Sequence, residues 1–489
     1  MPAPTTKPSI NPKAGDTSPS TRENPALVLI WSRDEPHRVG ETLLFGDPKG
    51  AATILGRATP EQAASAERLD FFRQRPGSNT STAQLVSERL SREHLLIRRE
   101  GKGLHIQNIG KRAMLFNDET VTNAFVVPGQ CIEIKNTILL YCTQRPPVFA
   151  PCPSLGASMP RFGEVDAFGM VGESPLIWAQ REGLAQAALR SEHVLLKGAG
   201  GTGADFGAAA IHGQSGRRDR PLVSGNMATF RSEVIEAELF GSAKDHPNSG
   251  MPERIGMIGA ADGSTLFLDE IGELSHTLQA RLGRVLERRE YQRLGDQQLR
   301  KADVRLLAAI HRSEDELKPD FLAQFGIHLE LCGLNERPED IPLLARHLVR
   351  KVAESDAAIA SRFFEGGRSD GQPRFGPVLM RALVTHRYTT HARQLGSMLW
   401  SAILASSGDR IEIELSDGSS EPPGAFTSTV PATPAALLEE VEPAHLSPER
   451  IQACLEKTGS VEEAWRALGL RDSFQLLRLI KRYGLKAGG

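Results

Sequence analysis

A glycine-rich segment, residues 198–203, has the composition of a loop that binds phosphate. It follows an apolar strand predicted at residues 193–196, and its nucleotide-binding candidates are Gly198, Gly200, Gly201, Thr202 and Gly203. Backbone N–H groups in such a loop, and the N-terminus of the helix after it, attract anions whatever the side chains are. Taken alone, the segment could also be a plain glycine turn between a strand and a helix.

The lysine that a P-loop directs at the terminal phosphates is absent from this segment. Ala204 occupies its position, and Asp205 occupies the next one, where other P-loops carry a serine or threonine on Mg²⁺. Because a charge-assisted hydrogen bond contributes roughly 1.5–3 kcal/mol, we expect ATP to bind about ten- to a hundredfold more weakly than to a complete P-loop. Lys197 lies just before the loop, on the strand side, and is a minor candidate for supplying the missing charge.

Two adjacent carboxylates follow a second apolar strand, predicted at residues 264–268. This is the Walker B arrangement, in which Asp269 would hold Mg²⁺ and Glu270 would polarise the attacking water. Asp269 and Glu270 are therefore the catalytic candidates, and weakly bound ATP with Mg²⁺ is the cofactor that the sequence predicts.

Four further motifs surround these two, at residues 238–241, 262–263, 271–274 and 337–344. In order and spacing they resemble the central AAA+ domain of sigma-54-dependent enhancer-binding proteins, from residue 171 to residue 395. The resemblance implies an α/β P-loop subdomain at residues 171–345 and a helical subdomain at residues 346–414. It also implies assembly into a homo-oligomer and contact with RNA polymerase that carries sigma-54.

Several departures from that family fall on positions that handle ATP or sigma-54. Residues 245–250 replace the family's GAFTGA loop, His311 replaces a sensor asparagine, and Lys318 and Gln324 replace two arginines that enter the neighbouring subunit's site. Arg393 matches the second sensor of the family and is the last nucleotide-binding candidate. Because an arginine finger contributes about 10³–10⁵ in rate, we hypothesise a pseudo-ATPase that hydrolyses ATP slowly and contacts sigma-54 poorly.

Length and composition indicate a multidomain protein of about three domains. The chain has 489 residues, of which 40% are hydrophobic, and this is enough to build several cores. A formal net charge of -2 excludes a global polycation, so any binding to DNA must be local. No apolar run of membrane-spanning length or signal-peptide core is present, which predicts a cytoplasmic protein without a membrane partner. The five cysteines have no metal-ligand spacing.

The first part of the chain is predicted to be a disordered tail followed by a β-sandwich. Residues 1–25 are rich in Pro, Ser, Thr and Lys, a composition typical of disorder. From residue 26 to residue 146, short apolar alternations separated by turns predict a β-sandwich, and residues 147–170 are a predicted linker. The clearest strand patterns are at residues 26–31, 95–97, 104–106 and 138–141.

Three short motifs within this region, at residues 54–57, 90–94 and 108–110, together with Asn117, resemble the forkhead-associated domain. That family binds phosphothreonine through its loops, and the phosphopeptide-binding candidates here are Arg57, Ser91, Arg92 and Asn117. Arg57 could fork onto phosphate oxygens, Ser91 could donate its hydroxyl, and His94 would brace the loop.

The partner that this resemblance implies is a phosphothreonine protein, or the chain's own tail phosphorylated at Thr17 or Thr21. Solvated arginines on an ordinary sandwich are the alternative interpretation. Residues 111–114 depart from the family, because they replace its Ser-Thr-Asn-Gly run and are one residue short of it.

The end of the chain is predicted to be a second linker, residues 415–444, and a small all-α module, residues 445–489. The module resembles the Fis-type helix-turn-helix that ends enhancer-binding proteins. Its DNA-binding candidates share one helical face: Gln475, Arg478, Lys481 and Arg482. A small interaction module with a solvated basic face is the alternative.

Three functions remain open at this point. The leading hypothesis is a DNA-binding transcriptional regulator that senses phosphothreonine through its sandwich and has a hydrolysis-impaired AAA+ core. The second is a working ATPase that remodels sigma-54 RNA polymerase. The third is a phosphopeptide-binding signalling adaptor whose other modules have lost their function.

Overall fold

The computed structural model describes residues 23–46, 51–58, 68–156, 159–413 and residue 452. The chain divides into two compact units, residues 1–416 and 417–489, and only Gln452 of the second unit is described. The predicted helix-turn-helix, with its DNA-binding candidates at positions 475, 478, 481 and 482, therefore lies outside the described residues. The same holds for the second linker and for Thr17 and Thr21 of the tail.

The N-terminal region forms two antiparallel sheets, which we call the sandwich, and the strand patterns expected at residues 26–31, 95–97, 104–106 and 138–141 all lie in strands. The larger sheet has the order β5-β4-β2-β1-β12-β11-β8-β9, and the smaller has the order β10-β7-β6-β3. The strands are β1 (Asn24–Ser32), β2 (Thr42–Leu44), β3 (Thr53–Leu55), β4 (Phe71–Arg75), β5 (Ser78–Thr82), β6 (Leu95–Glu100), β7 (Gly103–Asn108), β8 (Met114–Phe116), β9 (Glu119–Val121), β10 (Asn123–Val126), β11 (Cys131–Ile134) and β12 (Ile138–Arg145).

The central pair of strands, β1 and β12, is buried on both faces. Leu27 and Leu29 of β1 point into the core between the two sheets. Val28 and Ile30 alternate with them and point to the opposite face, where they join a second core built mainly from helices. Because side chains alternate along a strand, a run that is apolar at every position supplies both faces at once.

The middle of the chain is an α/β layer around a five-stranded parallel sheet of order β14-β15-β18-β13-β19. Its elements are α1 (Pro175–Ala188), β13 (His193–Lys197), α2 (Ala204–Gly213), β14 (Val223–Asn226), α3 (Ser232–Phe240), α4 (Gly256–Ala260), β15 (Thr265–Asp269), α5 (His276–Arg288), β16 (Glu290–Tyr291), β17 (Arg300–Lys301), β18 (Arg305–Ile310), α6 (Pro319–Leu322) and β19 (Phe325–Glu330). Strands β13 and β15 carry the two chemical motifs at their carboxyl ends, where the parallel sheet places ligand-binding loops side by side.

A helical part completes this unit, with α7 (Ile341–Ser355), α8 (Ala357–Phe363), α9 (Pro377–Thr385) and α10 (His391–Ala405). Its buried apolar side chains share one core with the outer face of β1 and β12, including Trp31, Leu139 and Tyr141. The prediction of an N-terminal β-rich region followed by an α/β P-loop region is therefore confirmed. No pattern in the sequence predicts that the sandwich and the helical part share a core.

Polar contacts also join the sandwich to the rest of the unit. Trp31 Nε1 donates a hydrogen bond to the Phe375 carbonyl at 2.8 Å. Arg75 lies 2.7 Å from Glu173, at the entrance to α1. Both partners in these contacts are held in place by burial, so the contacts fix the orientation of the sandwich.

A buried ion pair lies in the same interface. Arg145 of β12 and Glu339, just before α7, are 3.6 Å apart and only 2% and 6% exposed. Burial raises the pKa of Glu339, and the charge of Arg145 opposes that shift. An ion pair this deep depends on both of its members, since either one alone would be a buried, uncompensated charge.

No described helix is both long and apolar enough to span a lipid bilayer.

We predict that Arg145→Met lowers the free energy of unfolding by about 3–5 kcal/mol, because it leaves Glu339 buried without its cation. Adding Glu339→Leu should recover most of the loss, since the second change removes the stranded charge. Denaturant unfolding followed by tryptophan fluorescence measures both effects. As a matched control, Arg368→Met removes an exposed arginine paired with Asp370 and should leave the midpoint unchanged. Equal losses in the single and double variants would contradict the prediction.

Candidate functional site

The glycine-rich loop lies between β13 and α2, at the carboxyl edge of the parallel sheet. Gly201 and Gly203 have positive φ angles of 85° and 91°, which lets the backbone curl toward the start of α2 at Ala204. Thr202 Oγ1 donates to the Ala199 carbonyl at 2.8 Å and fixes the turn from inside. The loop therefore has the strand–loop–helix geometry of a phosphate-binding segment.

The helical part closes over this loop. The backbone N–H of Ala392 donates to the Gly201 carbonyl at 3.3 Å. A side chain at Gly201 would lie 2.3 Å from the Thr390 carbonyl, so only glycine fits this approach. Arg393, the next residue of α10, is exposed and forms no ion pair with any residue that the structure describes. The structure thus brings the sensor candidate Arg393 to the loop, with its charge available.

No lysine reaches the loop from the strand side. The Lys197 ammonium group lies 3.2 Å from Glu314 and 4.0 Å from Glu330, so its charge is already paired. Ala204 is 8% exposed at the first turn of α2. Among the described residues, the positive charge that we identify for a phosphate is the partial charge of the α2 N-terminus and the guanidinium group of Arg393.

The two candidate catalytic carboxylates differ in their surroundings. Asp269 accepts hydrogen bonds from Asn226 Nδ2 and from the Glu270 N–H, each at 3.0 Å. Burial raises the pKa of Asp269, and the charges of Glu270 and Asp205 add to the shift while His311 opposes it. Each oxygen of Asp269 accepts one hydrogen bond from the described residues, so both keep a lone pair with which to bind Mg²⁺.

Glu270 is held in a rare backbone conformation, with φ at 53°. Its Oε1 lies 2.7 Å from Nδ1 of His311, the residue that replaces the family's sensor asparagine. Within the described residues, no group of three or more His, Cys, Asp or Glu side chains is arranged to hold a metal by itself.

The positions that replace the two arginine fingers have local roles in this chain. Lys318 is the residue before α6, and its backbone N–H donates to Gln279 Oε1 at 2.8 Å. Gln324 Nε2 contacts the Asp320 carbonyl at 3.5 Å. Neither offers a guanidinium group.

Residues 245–250 form a closed turn that folds back on its own domain. Asp245 Oδ1 accepts from the Gly250 N–H at 2.7 Å, and the Asp245 N–H donates to the Met251 carbonyl at 2.9 Å. The His246 ring packs against Gly295, where an added side-chain carbon would lie 2.4 Å from the ring. The turn carries no exposed aromatic side chain of the kind that the sigma-contacting loop presents.

The loops at one end of the sandwich bring together several of the phosphopeptide-binding candidates. The Arg57 N–H donates to the Ser91 carbonyl at 2.9 Å, and the Lys111 N–H donates to Ser91 Oγ at 3.1 Å. Gly56 lies so close to Arg92 that a side chain there would overlap the Arg92 carbonyl. Because Ser91 Oγ accepts from Lys111, its own proton remains available for a ligand.

His94 holds these loops from below. Its Nδ1 accepts from the Ser91 N–H at 2.9 Å, and its Nε2 lies 3.4 Å from the Arg112 carbonyl, which requires the neutral ring with the proton on Nε2. The side chain is fully buried, and burial lowers its pKa. These contacts are the ones expected if His94 braces the loop.

We call the four cations around Ser91 the basic patch: Arg57, Arg92, Lys111 and Arg112. None of them forms an ion pair with a carboxylate among the described residues, so their charges are available to an anion. The sequence analysis did not include Lys111 and Arg112 among the candidates. The sequence does indicate these two residues, because it places a basic pair where the forkhead-associated family has uncharged residues.

Asn117 does not join the basic patch. It forms a two-residue turn with Asp118 between β8 and β9, at the opposite end of β8 from Lys111 and Arg112. Asp118 in turn lies 2.5 Å from Arg381 of α9, so this turn faces the helical part. The structure therefore separates Asn117 from Arg57, Ser91 and Arg92.

The part of the chain that carries the phosphate loop matches a known family model. The family model described as the Sigma-54 interaction domain matches residues 170–323. The transcriptional regulatory protein ZraR of Salmonella typhimurium is 35% identical over 334 residues, covering 66% of this chain and 71% of the relative. The alginate biosynthesis regulatory protein AlgB of Pseudomonas putida is 32% identical over 325 residues, covering 65% and 68%. A crystal structure of NtrX from Brucella abortus matches with a TM-score of 0.45 and 25% identity, covering 64% and 69%.

We predict that neutral His94 stabilises the sandwich in a pH-dependent way. Its pKa in the folded chain is lowered from 6.5, so the unfolded chain takes up the proton first as the pH falls. The stabilisation is present above that unfolded value and is lost as the pH falls through the folded value. The difference in free energy of unfolding between the wild type and His94→Gln should therefore shrink from neutral to acidic pH. His37→Gln, at an exposed position, is the control, and a pH-independent difference for His94→Gln would contradict the prediction.

Proposed function

The chain belongs to the family of sigma-54-dependent enhancer-binding transcriptional regulators, and we propose that it is a DNA-binding regulator with a hydrolysis-impaired AAA+ core. The observation that carries the proposal is the phosphate loop itself. Its backbone geometry is complete, yet Ala204 replaces the lysine and Lys197 is bound to Glu314. The core would thus serve as a scaffold for assembly more than as a motor.

Weak nucleotide binding is supported by the charges around the loop. ATP brings several negative charges to a cleft that holds Asp205, Asp269 and Glu270 and lacks the P-loop lysine. The helix N-terminus contributes about 0.3–1 kcal/mol toward an anion, less than a charge-assisted hydrogen bond from lysine. Arg393 and an Mg²⁺ ion on Asp269 would supply the rest of the binding.

Slow hydrolysis is supported mainly by the two finger positions, because Lys318 and Gln324 offer no guanidinium group to the site of a neighbouring subunit. A second support is the contact of Glu270 Oε1 with His311 Nδ1 at 2.7 Å, which leaves Oε2 as the carboxylate oxygen for orienting water. The second candidate function, a working ATPase that remodels sigma-54 polymerase, would have to hydrolyse ATP without these arginines.

Reduced contact with sigma-54 is supported by the turn at residues 245–250. Its ends are joined by hydrogen bonds through Asp245, and His246 is packed against Gly295. The family's contact loop presents an aromatic side chain to sigma-54, and residues 245–250 carry none. We propose that regulation proceeds by DNA binding and assembly, with RNA polymerase as a weaker partner.

The proposed input is a phosphothreonine on another protein or on the chain's own tail. The sandwich motifs resemble the forkhead-associated domain, and the basic patch has four cations beside the Ser91 hydroxyl that form no ion pair with a described carboxylate. Arg57 and Arg112 could each form bidentate bonds with a phosphate group. Asn117 is left out of this proposal because it lies at the other end of β8.

The proposed output is DNA binding by the C-terminal module through Gln475, Arg478, Lys481 and Arg482. A single helix-turn-helix of this size binds weakly, so several copies held by the AAA+ core would be needed for useful affinity. The formal net charge of -2 supports a local basic face as the contact with DNA.

We predict that Ala204→Lys raises the affinity for ATP with Mg²⁺ by about ten- to a hundredfold, because it restores a cation at the start of α2. Calorimetric titration of the full chain measures the change. The matched control is Gln214→Lys, which adds the same charge at the other end of α2. Phosphate release should stay slow in both variants, since the finger positions are unchanged. Equal affinities for Ala204→Lys and the wild type would refute the account of the loop.

We predict that the oligomeric full chain retards DNA fragments taken from upstream of promoters, at low salt, and that Arg478→Ala with Lys481→Ala abolishes the retardation. Arg57→Ala should leave DNA binding intact and weaken binding to a phosphothreonine peptide, whereas Arg98→Ala, at an exposed strand position of the same domain, should change neither. Peptide binding without any retardation of DNA would replace the regulator with the signalling adaptor. Retardation without peptide binding would remove the proposed input alone.

A further inference from the structure

A cavity of about 80 Å³ lies between the sandwich and the helical part. The end of β1 and the turn after it form one wall, with Trp31, Arg33 and Val39. The segment before α9 and the chain after α10 form the other, with Gln372, Phe375 and Arg410. A single water molecule needs about 10–15 Å³ of such a cavity, so there is room for a small organic group.

The lining of this cavity is strongly cationic. It contains four arginines and a single carboxylate, that of Glu365. Arg346 and Arg374 are held by Glu164 and Asp409, at 3.6 and 2.6 Å. With these two arginines paired, Arg33 and Arg410 still outnumber Glu365, so the lining keeps a positive potential that favours an anion.

Two of the arginines have charges that are not used by the fold. Neither Arg33 nor Arg410 makes an ion pair or a side-chain hydrogen bond with any residue that the structure describes. They lie on opposite walls, Arg33 on the sandwich and Arg410 after α10. The pair can therefore approach one ligand from both sides, and a guanidinium group fits the planar oxygens of a carboxylate or phosphate.

The lining also contains apolar side chains and a glutamine oxygen without a hydrogen-bond donor among the described residues. Ile30, Trp31, Phe375 and Met380 provide aromatic and aliphatic surface. Gln372 contributes one more polar group, because its buried Oε1 accepts no hydrogen bond from the described residues. Apolar walls with a few convergent polar groups are typical of small-molecule sites.

We propose that this cavity binds a small organic anion, an aromatic or branched acid whose charged end lies between Arg33 and Arg410 and whose apolar body contacts Trp31 and Phe375. A hydroxyl or amine on the ligand would satisfy Gln372 Oε1. The site is distinct from the phosphate loop and from the basic patch, and it does not depend on the proposed function.

A ligand in this cavity would stabilise the docking of the sandwich on the helical part. Since both walls contribute to the site, the ligand binds only the docked arrangement and favours it in proportion to its occupancy. The regulator would thereby receive a second, chemical input at the interface through which its sandwich is attached.

The test uses para-fluorobenzoate, a carboxylate with a compact aromatic body, titrated into the full chain and followed by fluorine NMR. We expect saturable binding with a Kd of about 1 mM or tighter. The neutral isostere para-fluorobenzyl alcohol should bind at least tenfold more weakly, because it lacks the anion that the arginines would hold. Para-fluorophenyl phosphate tests whether a phosphate group serves as well as a carboxylate.

Four variants, two in the cavity and two outside it, locate the binding. Arg410→Gln and Arg33→Gln should each weaken para-fluorobenzoate binding by about tenfold. Arg368→Gln, an exposed arginine outside the cavity, and Arg57→Gln, in the basic patch, should leave it unchanged. Arg33 is exposed, so its replacement should not impair folding even if that of Arg410 does. The proposal is overturned if binding does not saturate, if the alcohol binds as tightly, or if Arg57→Gln weakens binding while Arg33→Gln does not.

Discussion

The two-sided burial of the β1 and β12 pair is the constraint on which the arrangement of the first unit depends. One set of side chains, including Leu27 and Leu29, closes the sandwich, and the alternate set, including Val28 and Ile30, closes the helical core. Each buried aliphatic side chain contributes roughly 1.5–3 kcal/mol, so separating the two parts would expose several such contributions at once. The sandwich is therefore part of the structural core of the first unit and not a module on a free linker.

This constraint explains why charged residues can lie so deep in the interface. Glu173 receives Arg75 from the sandwich, and its own N–H donates to Asp340 Oδ1 at 2.7 Å. Asp340 also accepts from the Ser174 N–H and hydroxyl at the start of α1. The same short network thus joins the sandwich, the first helix of the α/β layer and the entrance to the helical part. Charges at these depths persist because each has a partner fixed by the surrounding apolar contacts.

Local patterns were enough to predict the parts of the site that are built from neighbouring residues. The phosphate loop after β13 and the carboxylates after β15 each lie on one strand and one turn, so spacing alone specifies them. Contacts between distant segments could not be predicted in this way. The apolar run at residues 26–31 predicts a strand but does not say what covers its second face. Likewise, the sequence makes Lys197 a candidate for the phosphate loop. In the fold its ammonium group is paired with Glu314, which lies more than a hundred residues later in the chain. Asn117 has the sequence position that the motif requires. In the fold it lies in the two-residue turn between β8 and β9, away from Ser91.

The hydrogen bond from Ala392 to Gly201 has a mechanical meaning when it is combined with the shared core. The helix that rests on the phosphate loop contributes side chains to the same core as β1 and β12 of the sandwich. A triphosphate that displaced this helix would therefore also disturb the packing of those two strands. The occupancy of the loop and the stability of the N-terminal strands are thus thermodynamically coupled through one set of buried side chains.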